Sequence, residues 1–186
     1  RSGKFSVISI IDANGSKVLE IKDRRGQTLG KQTNSGETIL NAVQQVFDSA
    51  GNVTQILHPN YFSDEANASS FITQNSYNFL GQLTSRTTQD SGEIKHIYDR
   101  LGQLRFSCTP LTVEKGTVLY KKYDSLDRIY EEGEIVQDWG DGSKLQEIAN
   151  SQPQYPQNNP WQTQNIYDGT GEEVTLRGRL WKTQKR

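Results

Sequence analysis

The stretch Ile97-Tyr98-Asp99-Arg100-Leu101-Gly102-Gln103-Leu104-Arg105-Phe106 joins two apolar runs through an Asp-x-x-Gly segment. An aspartate side chain can accept hydrogen bonds from the backbone that follows it, and glycine accepts a positive φ. An alternating apolar run that leads through such a segment into a second run predicts a β-hairpin.

Copies of this pattern recur along the chain, with an aspartate or asparagine marker at positions 23, 48, 78, 99, 124 and 168. Self-similarity at a period of roughly 20–50 residues is typical of repeat proteins, in which each unit packs on its neighbours. Five of the copies begin with an aromatic residue, which is hard to explain without duplication. The predicted repeat positions are Asp23, Gly26, Phe47, Asp48, Gly51, Tyr77, Asn78, Gly81, Tyr98, Asp99, Gly102, Tyr123, Asp124, Tyr167, Asp168 and Gly171.

These positions suit a structural role better than a ligand site. The aromatic ring is expected to pack between neighbouring strands, at about 1.5–3 kcal/mol for each buried ring. The aspartate or asparagine bonds the turn backbone, and the glycine permits the turn.

The composition favours many short strands over a helical bundle. Hydrophobic residues make up 32% of the chain, which also holds 16 glycines. Two-residue alternation exceeds helical spacing in every copy, and turn residues arrive too often for long helices. We therefore expect an all-β fold of consecutive antiparallel hairpins.

The charge balance argues against a nucleic-acid partner. The formal net charge is −1, and a nucleic acid or acidic membrane would require a basic surface. The basic tail from Arg177 to Arg186 is interpreted as a solvated strand end. The chain has no apolar run of roughly 18 residues, so no membrane-spanning helix is expected.

Three local features of the sequence carry separate predictions: the first residues, the single cysteine and an Asn-Gly turn. The chain starts Arg1-Ser2-Gly3 without methionine or a signal peptide, which indicates an excerpt or a processed piece. Cys108 is the single cysteine, so no intrachain disulfide is possible, and we expect it to fill the inner face of a half-buried strand, Leu104 to Cys108. Asp12-Ala13-Asn14-Gly15 predicts a tight hairpin with positive φ at Asn-Gly.

Three stretches interrupt the repeats, and the first, Asn34 to Thr38, is predicted to be a glycine-containing polar loop. Residues His58 to Ser70 predict a surface loop with one helical turn. Asp138 to Trp161 is polar, with a short helix expected at Lys144 to Ala149 and a Pro/Gln/Asn-rich end. The predicted organisation is a hairpin array over 1–135, an insertion over 136–166 and a final degenerate repeat over 167–186.

No pattern for catalysis, metal or cofactor binding emerges. His58 and His96 are the only histidines, and with one cysteine they cannot complete a zinc site unless carboxylates join. The acidic residues between Glu131 and Asp141 lack the alternating ligands of a calcium loop. A nucleophile elbow, a Walker loop and a metalloprotease motif are all missing. We therefore predict no catalytic residue, no metal and no cofactor.

The insertion leaves one binding alternative open. Trp139, Tyr155 and Trp161 are able to stack on sugars, although aromatic residues in such a loop more often pin it to the sheet.

The motif Tyr-Asp-x-x-Gly-[Gln/Arg]-Leu, seen at Tyr98 to Leu104, resembles the YD repeat of the RHS (rearrangement hotspot) family. The order of units is similar to that in RHS-repeat proteins of Bacteroidetes-type bacteria, with a Lys-Asp unit at Lys22 and a unit with a Pro-containing loop at Phe47 to Pro59. Departures include Lys22 in place of the aromatic and Asp127 in place of the glycine.

The resemblance implies a spiral of β-hairpins that builds a hollow shell. Such shells enclose a toxic domain in Tc and polymorphic RHS toxins, and form part of adhesion ectodomains in teneurins. It therefore implies a non-catalytic structural segment of a secreted or cell-surface protein, whose partners are flanking repeats, neighbouring subunits or an enclosed polypeptide cargo. The alternative is an adhesin or glycan-binding module that uses residues 138–161. Neither self-cleavage nor toxicity is implied, because the Asp-Pro cleavage segment and a toxin module are missing.

Overall fold

The computed structural model describes residues 5–157, 162–168 and 179–186. Across these ranges the fold is all-β, one open antiparallel sheet of thirteen strands whose order follows the chain. This confirms the predicted fold class of consecutive antiparallel hairpins. In the same ranges, no helix is both long enough and apolar enough to cross a membrane.

The chain divides into two compact units, residues 1–93 and 94–186. The strands of the first unit are β1 Ser6–Ile11, β2 Ser16–Lys22, β3 Thr28–Ser35, β4 Thr38–Phe47, β5 Val53–Leu57, β6 Ile72–Tyr77 and β7 Leu83–Thr88. Strand β8, Gly92–Tyr98, begins at the boundary between the units. The other elements of the second unit are β9 Leu104–Cys108, α1 Pro110–Glu114, β10 Thr117–Tyr123, β11 Ile129–Val136, α2 Ser143–Ser151, β12 Thr163–Tyr167 and β13 Leu180–Lys185. The division into array, insertion and final repeat stays a prediction.

A β-bulge precedes the motif in every second hairpin. The pairing register shifts by one residue directly before the motif's first position, at Lys22, Phe47, Tyr77, Tyr98, Tyr123 and Tyr167. A bulge bends its strand and re-aims the side chain that follows it. The repeat therefore extends from the turn into the strand before it.

The core of the second unit lies between the sheet and α2. Phe106, Val118 and Tyr120 are 0–1% exposed and cluster with Leu145 and the rest of the inner face of α2. The helix confirms the one expected at Lys144 to Ala149. Helix residues at i, i+3 and i+4 share one face, so Leu145, Ile148 and Ala149 all reach the sheet.

The connection between β5 and β6 is more structured than expected. It holds two 3₁₀ helices, Pro59–Phe62 and Glu65–Phe71, instead of one helical turn. The predicted tight Asn-Gly hairpin at Asp12 to Gly15 is also wrong in detail. Of those four residues only Gly15 has a positive φ, 80°, because the turn is another Asp-x-x-Gly turn.

Strand β9 departs from the expected half-buried pattern. Cys108 is buried, as predicted, but the alternation places Arg105 outside, and this residue is instead 1% exposed. The bounds of the strand agree with the expected Leu104 to Cys108, and Pro110 then begins α1, which Thr109 caps. The burial of Arg105 has a polar cause, described below.

Candidate functional site: the repeat turns and the insertion they support

The motif turns share one hydrogen-bond geometry. The backbone N–H of the marker donates to the carbonyl four residues later, at 3.0 Å for Asp23, Asp48, Asn78, Asp99 and Asp124. The marker's Oδ1 accepts from the N–H of that same later residue at 2.9–3.0 Å. The marker side chain thus closes the turn, as the sequence predicted.

A further copy of this turn was missed. Asp12 makes the same bonds, with Oδ1 accepting from the N–H of Ser16 at 2.8 Å. Sequence reasoning passed over it because no aromatic precedes Asp12 and the next marker lies only 11 residues later. The signal that identifies it is the Asp-x-x-Gly spacing alone.

The fourth position of the turn requires a left-handed backbone. Gly26, Gly51, Gly81 and Gly102 have φ between 76° and 96°. Asp127 takes this conformation at φ 61°, and its Oδ1 accepts from Gln103 Nε2 at 2.6 Å. Aspartate is one of the few residues other than glycine that tolerate this region, so the turn survives the substitution.

The motif tyrosines bond one repeat to the previous one. The hydroxyls of Tyr77, Tyr123 and Tyr167 donate to the carbonyls of Val53, Leu104 and Ile129 at 3.0, 3.1 and 2.9 Å. Each accepting carbonyl lies five residues after the previous marker in its unit. Burial of the ring raises the pKa of Tyr123, so its hydroxyl stays a donor. The sequence predicted packing by these rings but not their hydroxyl bonds.

A second link runs between the turns themselves, from the residue four positions after the marker. Gln27 Nε2 donates to the carbonyl of Gly51 at 3.2 Å, and Arg128 pairs with Asp168 at 2.9 Å. The hydrogen bonds that Arg128 donates to Asp168 and then to Asp124 raise the pKa of Arg128, so this guanidinium stays charged. Such bonds join the turn at Asp23 to that at Asp48, and they join the turns at Asp99, Asp124 and Asp168 in series. We call these turn-to-turn bonds, together with the closed turns and the tyrosine hydroxyl bonds, the turn ladder.

The final copy differs from the others. The N–H of Asp168 donates to the carbonyl of Arg179, eleven residues later, and Tyr167 pairs with Leu180. Asp168 thus bonds a residue eleven positions later instead of four, and Gly171 of the predicted weak copy lies outside the described residues. Asp168 still takes part in the ladder through Arg128.

Arg105 binds the insertion to the strands of the second unit. Its Nη2 donates to the carbonyls of Pro153 and Tyr155 at 3.0 and 3.2 Å, and its Nε donates to that of Lys121 at 3.0 Å. Burial lowers the pKa of Arg105, against the opposing field of Asp99, whose carboxylate lies 3.8 Å from Nη1. A guanidinium carries five donors in a fixed fork, so it suits several carbonyls at once. This explains why a charged residue is buried here.

The aromatic residues of the insertion face the core. Trp139 and Tyr155 pack against the buried cluster under α2, and the ring of Tyr155 lies 6.1 Å from that of Phe106. Both residues are half-buried, which agrees with the pinning role. Trp161 lies outside the described residues.

The acidic cluster is engaged in structural contacts. Glu131 is 8% exposed and pairs with Lys122 at 2.6 Å, while the Tyr120 hydroxyl donates to the same carboxylate at 3.0 Å. Glu134 accepts from the Thr117 hydroxyl. Asp141 accepts from the hydroxyl and N–H of Ser143 at the start of α2, and these bonds lower the pKa of Asp141.

Each histidine lies beside a hydroxyl. His58 Nε2 lies 2.8 Å from Thr73 Oγ1, and His96 Nδ1 lies 2.9 Å from Ser107 Oγ. Over the part of the chain that the structure describes, no group of three or more His, Cys, Asp or Glu residues is arranged to hold a metal ion.

Comparisons with known proteins place the chain by its fold. No protein-family model matches it. Over 189 aligned residues it is 25% identical to salivary gland surface protein 1 of Aedes aegypti. The alignment covers 93% of this chain and 6% of that protein.

Among solved structures it is similar to a mutant Tc holotoxin pore of Photorhabdus luminescens, with a TM-score of 0.60, 15% identity, and coverage of 95% of this chain and 8% of the other. It is also similar to the TcdB2–TccC3 complex, at a TM-score of 0.60, 15% identity and coverage of 91% and 8%. The chain thus spans less than a tenth of the length of the proteins it matches. These likenesses do not support the expected similarity to Bacteroidetes-type repeat proteins in particular. They show an RHS-like, all-β fold that resembles the shell of Tc toxins.

Proposed function

We propose that the chain is a non-catalytic structural segment of a longer RHS/YD-repeat protein, in which it contributes strands to the wall of a β-shell. The turn ladder is the observation that carries this proposal. The marker side chains are used to close turns, and the motif tyrosines to bond successive repeats. Side chains committed in this way support a role in building a wall.

The comparisons support a role as one part of a larger assembly. The chain covers 8% of the Tc protein chains it resembles, and their structures combine several components. We propose that flanking repeats of a parent chain or neighbouring subunits are the partners of this segment. The shell would enclose or display another module, such as a toxin, in a secreted or cell-surface protein.

A surface adhesin is the second candidate. The name of the mosquito relative, a salivary gland surface protein, favours display at a surface. The packing of Trp139 and Tyr155 against the core argues against sugar binding by the insertion. If Trp139→Ala abolished glycan binding by a folded chain, the adhesin would replace the shell as the better proposal.

Limited proteolysis of the parent protein tests the shell. We expect a fragment outside this segment to resist protease in the intact parent and to become sensitive when Asp124→Ala opens a wall turn. Asp138→Ala is the control, because Asp138 lies outside the turn ladder. Equal sensitivity of every fragment in the intact parent would contradict enclosure.

A further inference from the structure

The first unit carries an apolar groove of about 670 Å³ on its sheet. Ile21, Leu40 and Ala42 line it from the strands, and Pro59 and Phe62 line it from the β5–β6 connection. Leu40 is 60% exposed and Phe62 is 47% exposed. Single exposed apolar residues are ordinary, but several around one concave surface indicate a binding site.

The repeat register relates this groove to the covered face of the second unit. Counted from their markers, Ile21 and Gly30 hold the same positions as Ile97 and Phe106, two residues before and seven after. Both pairs face each other across their hairpins, Ile21 with Gly30 and Ile97 with Phe106.

The next repeat gives the same correspondence. Ala42 and Gln44 hold the positions of Val118 and Tyr120, six and four residues before the marker. In the second unit all four counterparts belong to the core cluster that contains Leu145, Ile148 and Ala149 of α2. The face that lines the groove is therefore the face that an amphipathic helix covers in the other unit.

Side-chain size explains why the groove is concave. Glycine and alanine occupy the positions that phenylalanine and valine fill in the second unit. Because these side chains are smaller, the surface of the sheet is recessed at these positions. Gly30 itself is buried.

We propose that this groove binds an amphipathic α-helix of two to three turns with aliphatic residues at i, i+3 and i+4. The spacing is that of Leu145, Ile148 and Ala149, which cover the equivalent face in the same chain. Helix-in-groove recognition uses such anchors. Lys31 is the one charged residue among the described residues that line the groove, so an ionised small molecule finds little charge there to fix it. This inference goes beyond the shell function, because it concerns what binds to the wall.

A helical peptide tests the proposal directly. The probe has the sequence of Ser143–Ser151, stapled between the exposed positions 143 and 147, because an isolated nine-residue helix is marginal in water. It is titrated into the 186-residue chain while amide shifts are followed by NMR. We expect saturable shifts at Leu40 and Ala42, and none with a peptide that carries aspartate in place of its leucine and isoleucine. Residue-specific shifts distinguish binding in the groove from displacement of α2.

Two matched variants complete the experiment. Leu40→Arg should weaken binding at least tenfold, whereas Leu80→Arg, also at a leucine 60% exposed in the same unit, should change it less than twofold. Unchanged affinity in Leu40→Arg would overturn the proposal. So would groove shifts that depend on protein concentration without peptide, since they would make the groove a contact between two copies of the chain.

Discussion

At the scale of single residues, the motif tyrosine has two roles, and phenylalanine could fill only one of them. Its ring packs in the sheet, and its hydroxyl satisfies a backbone carbonyl of the preceding repeat. A buried polar group that loses its partner is costly, so the hydroxyl bond favours one fixed distance between successive repeats. Phe47 occupies this position in one repeat and supplies the ring alone.

Removal of one hydroxyl tests this second task. We expect Tyr123→Phe to lower the free energy of unfolding by about 1 kcal/mol, because the Leu104 carbonyl loses its donor while the ring stays. Tyr61→Phe is the control, since within the described ranges the hydroxyl of Tyr61 bonds no other group. Urea denaturation measures both variants. Equal effects of the two substitutions would show that the ring alone matters.

The marker carboxylates make the turns sensitive to acid. A hydrogen bond from the Asn52 side chain, followed by that from its backbone N–H, lowers the pKa of Asp48. The stabilisation from this lowered pKa is complete above the ordinary aspartate value of about 3.9, and it is lost as pH falls through the lower folded-state value.

NMR titration of the Asp48 carboxyl measures this directly. We expect Asp48 to titrate below the ordinary aspartate range, and Asn52→Ala to move its pKa upward, because the Nδ2 donor 2.9 Å from Oδ2 is removed. Asn14→Ala, which alters a different turn, should leave Asp48 unchanged. A wild-type Asp48 that titrates at the ordinary value would contradict the role of these bonds.

At the scale of elements, the insertion is held by one buried cation. Arg105 lies on β9, and the carbonyls it binds at Pro153 and Tyr155 follow the end of α2. Breaking a buried set of charge-assisted bonds typically costs about 3–5 kcal/mol, since the remaining groups stay buried without partners.

Substitution of this residue should loosen the insertion. We expect Arg105→Ala to destabilise the second unit by about 3–5 kcal/mol and to raise amide exchange in α2. Arg105→Lys should recover only part of this loss, because lysine lacks the planar fork. Arg100→Ala, at an exposed position of the neighbouring turn, is the control. Protection of α2 that is unchanged in Arg105→Ala would contradict this role.

The hairpins could be predicted from sequence because their causes are local. An aspartate closes its own turn within four residues, and a glycine supplies the positive φ at a fixed offset, so the spacing identifies both. The insertion's attachment could not be predicted, because Arg105 meets partners 44–50 residues away. The apolar–polar alternation of β9 predicted an exposed side chain for Arg105, because no local pattern indicates a distant carbonyl partner. The pairing of Tyr167 likewise depends on a strand that begins at Leu180.

At the scale of the whole molecule, the sheet has an apolar edge. β1 pairs with β2, and no other strand in the described ranges pairs with it. Val7, Ile8, Ile10 and Ile11 are 43–65% exposed. Exposed apolar edge strands tend to pair with other chains, which fits a segment whose edges meet further repeats.

Self-association of the isolated chain tests this edge. We expect concentration-dependent association in sedimentation experiments, and we expect Ile10→Lys to reduce it by placing a charge on the edge strand. Leu126→Lys is the matched control, because Leu126 and Ile10 are both 63% exposed and Leu126 lies at a turn. A chain that stays monomeric at all concentrations and unfolds in two states would contradict the need for neighbouring strands.

The structural role of the repeats is tested most directly by an electron cryomicroscopy map of the parent protein. We expect this segment to form part of a continuous wall, with its first and last strands paired to flanking repeats and its motif tyrosines between strands. A map in which the segment stands alone, or in which those tyrosines surround a bound substrate, would contradict that role.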